Sequence, residues 1–477
     1  MNRIYINELA QHKGERVLIK AWINTCRNQG KMIFLDFRDM SGLVQGIILP
    51  NSPAMEIGKT LKDEYVVEVE GQVNPRPEKN IKSDVLNGDI ELEVLNLKIL
   101  NESASLPFPL SEDTSSVNEN LRLKYRYLDL RSARMQKNIR HRFQVSNFMR
   151  NYLAERGFIE VETPLLSAPT QEGSRSFVVP SRLWPGNFFS LPQSPQQYKQ
   201  LLMVAGVEKY FQFARCMRDE DARGDRQAEF TQFDLEMSFV EEEDIIKLNE
   251  ELAIKIVEKF YPEKRIQQIP FPRMTYKEVM EKYGSDKPDL REDKNDPNLL
   301  AFLWVVDFPM FEKVEEDNVD GLKEWTYTHN PFSRPQDKFY SQFLQKENIA
   351  DILSTQYDLV LNAYEIGGGS LRNHKSADLR KTFEIMGYSQ AEIEKNFSHI
   401  LQALDFGAPP HGGIAWGLDR FLMIMENENS IRELIPFSKT SFGKDLTMNA
   451  PAELSKKQLD EVGIEIKKID DYKEKES

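Results

Sequence analysis

The first hundred residues alternate apolar and polar positions with period two. Segments 17–23, 32–38, 43–49, 66–73 and 90–100 all carry the pattern, and Asp39-Met-Ser-Gly42 supplies a turn between two of them. Alternation puts one face of each segment in a core, so residues 1 to about 105 are predicted as about five short antiparallel strands. Five strands in that length suit an OB-type β-barrel, and equally another small barrel or sandwich. Residues 106–135 open on Leu106-Pro-Phe-Pro109 and a serine- and acid-rich stretch, which reads as a linker or hinge. The period then changes. Phe143, Phe148, Tyr152 and Leu153 recur at helical spacing, and Gly157 closes that helix. Segments 158–162, 211–217, 230–239 and 355–366 read as strands, the last ending at Gly367-Gly-Gly369. Segment 241–260 and parts of 377–404 read as helices, and His411-Gly-Gly413 opens a last strand–helix unit. Strand–loop–strand units outnumber strand–helix–strand units, so 136–452 is predicted as an α+β domain on an antiparallel sheet. Residues 453–477 form a tail rich in lysine and acid.

Composition narrows the partners. The 477 residues carry a net charge of −14, which excludes a general polyanion binder, so any nucleic acid must meet a local basic patch. One such patch is visible. Arg122, Lys124, Arg126, Arg131, Arg134, Lys137, Arg140 and Arg142 face a single acid, Asp129. The run reads either as a solvated helical face or as a phosphate-contacting hinge. The two cysteines, Cys26 and Cys216, exclude a disulfide framework and a cysteine-built zinc site, and fit a reducing compartment. The start has no basic and then apolar leader, and the apolar runs are too short to span a bilayer. The expectation is a cytoplasmic protein with no membrane partner.

Three segments carry chemistry. The first runs from Cys216 to Glu236: two strands joined by an arginine-dense loop. A planar guanidinium such as that of Arg218 can hold a phosphate by two hydrogen bonds and stabilise charge developing on it. Taken alone, a charged hairpin loop is more often simply solvated. The second is Gly412-Gly-Ile-Ala-Trp-Gly-Leu-Asp-Arg420, whose glycines let backbone approach a ligand and whose Arg420 opens a helix where phosphates can bind. A plain strand-to-helix turn reads the same way. The third is Glu365-Ile-Gly-Gly-Gly-Ser-Leu-Arg372, where three glycines point to a surface on which a small molecule lies flat. The phosphate-loop signature GxxxxGK[ST] and the dinucleotide signature GxGxxG are both missing, so a nucleotide site here needs another fold.

The first two of these segments, with the helix–strand–proline stretch 148–164, resemble the three signature motifs of the class II aminoacyl-tRNA synthetases: 148–164 the first, 213–236 the second, 412–420 the third. Met217-Arg218-Asp219-Glu220-Asp221 and Gly417-Leu-Asp-Arg420 are the most specific stretches. With an OB barrel ahead of them, the chain resembles the subclass for aspartate, asparagine and lysine, and within it the bacterial-type aspartate–tRNA ligases. The resemblance covers residues 1 to about 290 and about 301 to 452. It implies ATP and L-aspartate as substrates, magnesium as cofactor, the aspartate tRNA as partner, and a homodimer built through the first motif, with Phe148, Met149 and Tyr152 as apolar surface. Arg218 matches the arginine that bridges carboxylate and α-phosphate. Glu220, Gln227, Glu365, Gly367, Gly368, Gly369 and Arg420 match positions around ATP, and Asp358 with Glu365 the magnesium ligands, a hard-oxygen set suited to that ion. Glu172 matches the loop that closes over the amino acid. Ser194, Gln196, Lys199, Asp234, His329 and Arg372 match its pocket. In the barrel, Arg27, Phe34, Gln45 and Glu93 match anticodon contacts, the aromatic by stacking and the polar groups by base edges.

Physical chemistry reads the pocket the same way. Lys199 and Arg372 suit a side-chain carboxylate and Asp234 an ammonium, which disfavours lysine strongly and asparagine moderately. Three departures stand out. Only residues 292–300 occupy the place where bacterial members carry an inserted domain. His329-Asn330 replaces paired histidines. The barrel loop Arg27-Asn28-Gln29-Gly30 differs from the common form. Gln29 and Asn330 bear on tRNA discrimination, and their change opens the asparagine tRNA as a second substrate. The rival readings are an asparagine or lysine ligase of the subclass, an RNA-binding paralogue without catalysis, and an amide-forming relative that does not act on tRNA.

Overall fold

The computed structural model describes residues 1–110, 112–169, 173–314 and 324–467. The chain divides into two compact units between Arg134 and Met135. In the first, β1 (Arg16–Asn28), β2 (Ile33–Asp39), β3 (Gly42–Ile48), β4 (Val66–Pro75) and β5 (Ile90–Asn101) close into a barrel of order β1-β2-β3-β5-β4. Neighbouring strands are antiparallel except β3 and β5, which run parallel. The alternation of the sequence is the alternation of burial. Ile33, Leu35 and Phe37 enter the core, while Phe34 and Asp36 between them stay half-exposed on the outer face. Gly46 keeps the barrel closed, because a side chain there would sit 2.3 Å from the Phe37 ring that fills the interior.

Part of the basic run is a set of buried or half-buried ion pairs rather than a solvated face. Arg122 and Arg126 are buried with Asp129, whose Oδ2 accepts from them at 3.3 and 2.6 Å, while Thr114 Oγ1 donates to Oδ1 at 2.5 Å. Arg131 pairs with Glu64 at 2.7 Å. Further on, Lys137 and His141 pair with the buried Glu426, and Arg142 with Asp419. Specific acids, one local and three distant in sequence, thus pair with much of the stretch, while Lys124, Lys137 and Arg140 stay exposed.

The second unit is built on a sheet of eight strands. They are β6 (Ile159–Glu160), β7 (Lys209–Met217), β8 (Glu229–Ser238), β9 (Arg273–Thr275), β10 (Phe302–Val306), β11 (Gln356–Leu361), β12 (Tyr364–Leu371) and β13 (His411–Gly417). Their order is β9-β10-β11-β12-β13-β8-β7-β6, antiparallel within and parallel at the two edge pairs. Helices α1 (Ala133–Ala154), α2 (Gln196–Val204), α3 (Glu242–Phe260), α4 (Ser376–Ile385), α5 (Gln390–Asp405) and α6 (Leu418–Met425) accompany it. Phe233, Trp304, Tyr357 and Trp416 are fully buried at the centre of its core. This is the α+β architecture that the strand–loop–strand pattern predicts.

Two expectations change. Met149 and Tyr152 are buried in this core rather than offered as apolar surface, and Phe148 is half-buried against Phe260. The strand expected to end at the triple glycine is a hairpin, turning at Asn362-Ala363, and the glycines lie inside its second strand. Where an inserted domain was expected and missed, residues 284–298 make a short connection pinned by the Arg291–Asp289 ion pair at 2.8 Å.

Candidate active site

β8, β12 and β13 lie side by side and present one face to a cavity of about 370 Å³. β7 and β8 form a hairpin in which Met217 faces Glu229, so the arginine-dense loop spans the mouth from Arg218 to Ala228. The cavity brings together Ser194, Gln196, Lys199, Arg218, Glu220, Gln227, Asp234, His329, Asn330, Glu365, Gly367, Gly368, Arg372 and Arg420, drawn from segments more than two hundred residues apart. Asp358 lies just behind this lining, and Gly369 does not line it. Glu172 falls outside the described residues. The barrel positions belong to the other unit.

One end of the cavity is a set of four buried charges. Lys199 Nζ lies 2.6 Å from Asp234 Oδ1 and 3.2 Å from Glu236 Oε2. Arg372 reaches both oxygens of Glu236, at 2.9 and 3.2 Å, and donates to Ser370 Oγ at 2.7 Å. All four are nearly sealed from solvent. The two acids respond oppositely. Burial alone would raise Glu236, but Arg372 and Lys199 outweigh it and bring the carboxyl down to about 2. Asp234 is raised by burial, and its Oδ2 is buried with no hydrogen-bond partner. An anion left in that condition is a site for one more cation.

Glu236 is the residue that sequence reasoning missed. It stands two positions after Asp234 in a strand, hence on the same face, and that spacing was the available signal. Gly413 makes room for it: a side chain there would come within 2.3 Å of Glu236 Oε2 and 2.0 Å of the Leu235 carbonyl oxygen. The glycines of 412–413 therefore serve close packing between strands rather than approach to a ligand. The triple glycine splits likewise. A side chain on Gly369 would strike the Gly413 carbonyl at 2.2 Å, and one on Gly367 the Trp416 ring at 2.9 Å, so both answer to neighbouring β13. Gly368 alone faces the carboxylates. A β-carbon there would stand 2.9 Å from Asp358 Oδ1 and 3.5 Å from Glu365 Oε1, so these two acids converge over the gap left by the missing side chain.

That convergence is the test of the magnesium expectation, and the residues fit it. Asp358 is held well above the usual carboxylate range by burial and then by the charge of Glu365, a like-charge pair that a divalent cation relieves. Gln356 Nε2 donates to Asp358 Oδ1 at 2.8 Å. Among the described residues no cluster of three or more metal-binding side chains occurs, so these two acids are the candidate protein ligands.

The other end is set by guanidinium groups. Arg218 stacks over Phe230 at 5.3 Å and donates from Nε to the Gln193 carbonyl at 3.4 Å. Arg420, on the first turn of α6, is fixed by the Glu365 carbonyl at 2.5 Å and Asp225 at 3.1 Å. Glu220 is held by Ser174 and lies 3.7 Å from Arg226, while Gln227 Oε1 accepts from the Lys439 amide at 3.1 Å. His329 packs edge-on to Phe308, and burial lowers its pKa although Glu365 pulls the other way. Asn330 Oδ1 accepts from the Phe332 amide at 3.0 Å, which makes it a turn-former as well as a wall.

In the barrel, Arg27 faces Phe34 across β1–β2, Asp36 faces Gln45 across β2–β3, and Ile47 faces Glu93 across β3–β5. Arg27, Phe34, Gln45 and Glu93 are thus carried on the outer face, none of them in the core cluster. Arg27 pairs with Asp36 at 3.1 Å, and Glu93 accepts from Asn74 at 2.9 Å. Gln29 sits exposed in the β1–β2 turn.

Comparison with known proteins agrees with this geometry. Residues 118–441 match the model of class II tRNA synthetases for D, K and N, and residues 17–100 match the OB-fold nucleic acid binding domain. The Aspartate--tRNA(Asp/Asn) ligase of Dehalococcoides mccartyi is 37% identical over 588 aligned positions, which take in 95% of this chain and 97% of that protein. The Aspartate--tRNA ligase of Staphylococcus aureus is 34% identical, over 95% and 97%. An alignment of 588 positions exceeds the 477 residues present, so the relative carries residues opposite gaps in this chain. In fold, the chain is similar to the asparaginyl-tRNA synthetase of Pyrococcus horikoshii crystallised with asparaginyl-adenylate, with a TM-score of 0.72, 22% identity and coverage of 92% and 98%. It is likewise similar to the aspartyl tRNA synthetase of Entamoeba histolytica, with a TM-score of 0.71, 21% identity and coverage of 92% and 91%. An OB barrel, a class II sheet and a nearly full-length match to curated relatives leave one assignment: the chain belongs to the class II tRNA synthetases of the aspartate, lysine and asparagine group.

Proposed function

We propose that the protein is an aspartate–tRNA ligase: it activates L-aspartate with ATP and esterifies it to the 3′ end of tRNA. The observation that carries the reading is the four-charge end of the cavity. Lys199 and Arg372 receive the side-chain carboxylate, and the unpartnered Asp234 Oδ2 receives the ammonium. An asparagine amide or a lysine ammonium against the two cations would leave buried charge unsatisfied. Ser194, Gln196 and His329 complete the walls.

The aspartate α-carboxylate attacks the α-phosphorus and pyrophosphate leaves; the terminal ribose hydroxyl of tRNA then attacks the mixed anhydride and AMP leaves. No protein nucleophile is needed. Arg218 holds the α-phosphate and takes up its developing charge, Arg420 holds the γ-phosphate, and Glu220 and Gln227 hold the rest of ATP beside Gly367 and Gly368. When bound, magnesium supplies positive charge to the triphosphate, and Asp358 and Glu365 are the groups that would hold it. Arg27, Phe34, Gln45 and Glu93 read the anticodon. The reading places the protein in the cytoplasm, where tRNA is charged, and no helix among the described residues is long and apolar enough to cross a membrane.

The decisive test is ATP–pyrophosphate exchange with each amino acid in turn. Exchange with aspartate alone is expected; a preference for asparagine or lysine, or no exchange at all, overturns the reading. Two further points go with it. A homodimer is proposed, with the exposed Phe143 and half-buried Phe148 of α1 at its interface, and a monomer in light scattering at micromolar concentration refutes that. A second reading, that the enzyme also charges the asparagine tRNA, is favoured by Gln29 and Asn330 and by the Dehalococcoides relative, whose name gives both tRNAs.

A further inference from the structure

We propose that His411 and Gln200 are positioning residues which lock the amide of Gln196 so that its carbonyl oxygen faces the cavity and accepts from the ammonium of the bound amino acid. The inference rests on the cavity reading above and adds what holds one of its walls. The line of hydrogen bonds starts at a group that has no choice. The Pro409 carbonyl can only accept, and His411 Nδ1 lies 2.7 Å from it, so Nδ1 carries the proton. Burial favours the neutral ring, although the nearby Glu236 pulls the other way, and Nε2 then keeps a lone pair. Gln200 Nε2, at 3.2 Å, donates to that lone pair. This turns Gln200 Oε1 away from the ring, where it accepts from Gln196 Nε2 at 3.1 Å.

Because an amide oxygen can only accept, the nitrogen end of Gln196 must face Gln200. What Gln196 offers the cavity is therefore Oε1, an acceptor. Gln196 and Gln200 stand one turn apart on α2, and His411 begins β13. Gln200 and His411 are sealed from solvent while Gln196 reaches the cavity, so the last amide touches substrate and the others act through it. Reversed amides would fill the same space equally well. Packing alone gives no preference between the two orientations, and the carbonyl of Pro409 does. A reversed Gln196 would set an NH2 against the ammonium.

The test uses the full chain with ATP and magnesium. It compares the aspartate KM with inhibition by succinate, which has both carboxylates of aspartate and no ammonium. Gln200→Leu and His411→Phe are expected to raise the aspartate KM about tenfold, the cost of a lost charge-assisted hydrogen bond. The ATP KM and the succinate inhibition constant should stay as in the wild type. Gln200→Glu keeps an acceptor for Gln196 and should restore the aspartate KM to near the wild-type value, whereas a packing role predicts that a buried acid does worse than leucine. Should His411→Phe fail to fold, the Gln200 pair decides. Equal losses for aspartate and succinate, or a wild-type aspartate KM in Gln200→Leu, overturn the proposal. Gln196→Leu separates the two levels. If it raises the aspartate KM while Gln200→Leu does not, the positioning fails and the cavity reading stands; if it leaves the KM unchanged, the assignment of Gln196 fails with it.

Discussion

Two clusters of buried charge in this chain look alike in composition and differ in how they end. Around Asp129, Thr114 takes one carboxylate oxygen, and Arg122 and Arg126 share the other. The cluster is closed, and none of its members lines the cavity over β8, β12 and β13. Around Glu236, Lys199 and Arg372 take both oxygens, but Asp234 keeps one buried oxygen without a partner, and Asp234, Lys199 and Arg372 all open onto the cavity. A closed cluster returns its desolvation cost only to the fold. One that stops a partner short holds that cost until a ligand arrives, which makes it a binding site.

The comparison is broken most directly at the closed cluster. Asp129→Ala removes the buried carboxylate that Arg122, Arg126 and Thr114 share and should lower unfolding stability by about 3–5 kcal/mol. Chemical denaturation measures it, and a stability near the wild type would mean that the cluster is not closed after all. At the other extreme, Arg218→Ala touches the cavity and no core, so activity should fall and stability should not. Removal of one preorganised donor to developing charge costs about 10²–10³ in rate, roughly 3–4 kcal/mol. Exchange assays with circular dichroism on the same samples check both halves; wild-type-like exchange refutes the role of Arg218.

The sequence revealed one cluster's chemistry and mistook the other's. The arginine run read as a solvated or phosphate-facing stretch because local charge pattern does not reveal a partner such as Glu426 or Asp419, nearly three hundred residues on. Period-two alternation did reveal the barrel, because in a strand the neighbour two positions away decides the face, but an apolar Phe34 reads from that pattern as a core residue, and only the family resemblance put it on the outer face. Glu236 stayed hidden because its partner Arg372 lies 136 residues away. Met149 and Tyr152 were misread because helical spacing marks an apolar stripe without saying what covers it. The glycines of 367–369 and 412–413 were read as ligand contacts because the carbonyls and rings that crowd them belong to neighbouring strands.

The open cluster can be probed from inside. Lys199→Met removes a charge-assisted contact to substrate and should cost about 2–3 kcal/mol in kcat/KM for aspartate, with ATP KM little changed. If ATP binding falls with it, Lys199 serves the nucleotide instead. Acid probes the same cluster. Glu236 is held at about 2, below its ordinary value of 4.5, so its stabilisation is complete above about pH 4.5 and is lost as pH falls toward 2. Linkage puts the loss at about 2 kcal/mol by pH 3. The melting temperature of Glu236→Gln should therefore fall less between pH 5 and pH 3 than that of the wild type. Parallel curves would mean that Glu236 does not hold the two cations.

The smallest effect concerns which tRNA is charged, and it lies at Asn330. This residue lines the cavity, and its Oδ1 also accepts from the Phe332 amide at 3.0 Å and the Ser333 hydroxyl at 3.4 Å. A histidine there at once changes the wall and replaces the amide oxygen that the turn bonds to, so the substitution needs a control. Asn330→Asp keeps the acceptor and Asn330→Ala removes it. If Asn330 bears on discrimination, Asn330→His should shift the ratio of kcat/KM for the aspartate and asparagine tRNAs by less than about tenfold, roughly 1.4 kcal/mol, toward the aspartate tRNA. Asn330→Ala should lower both values together, because a loosened turn does not know which anticodon is bound. Aminoacylation of the two purified tRNAs reads the ratio. Comparable charging by the wild type supports the relaxed reading, and a preference above about a hundredfold, roughly 2.7 kcal/mol, refutes it. A ratio that moves equally in Asn330→His and Asn330→Ala makes the residue a turn-former only, and places discrimination with the barrel loop at Gln29.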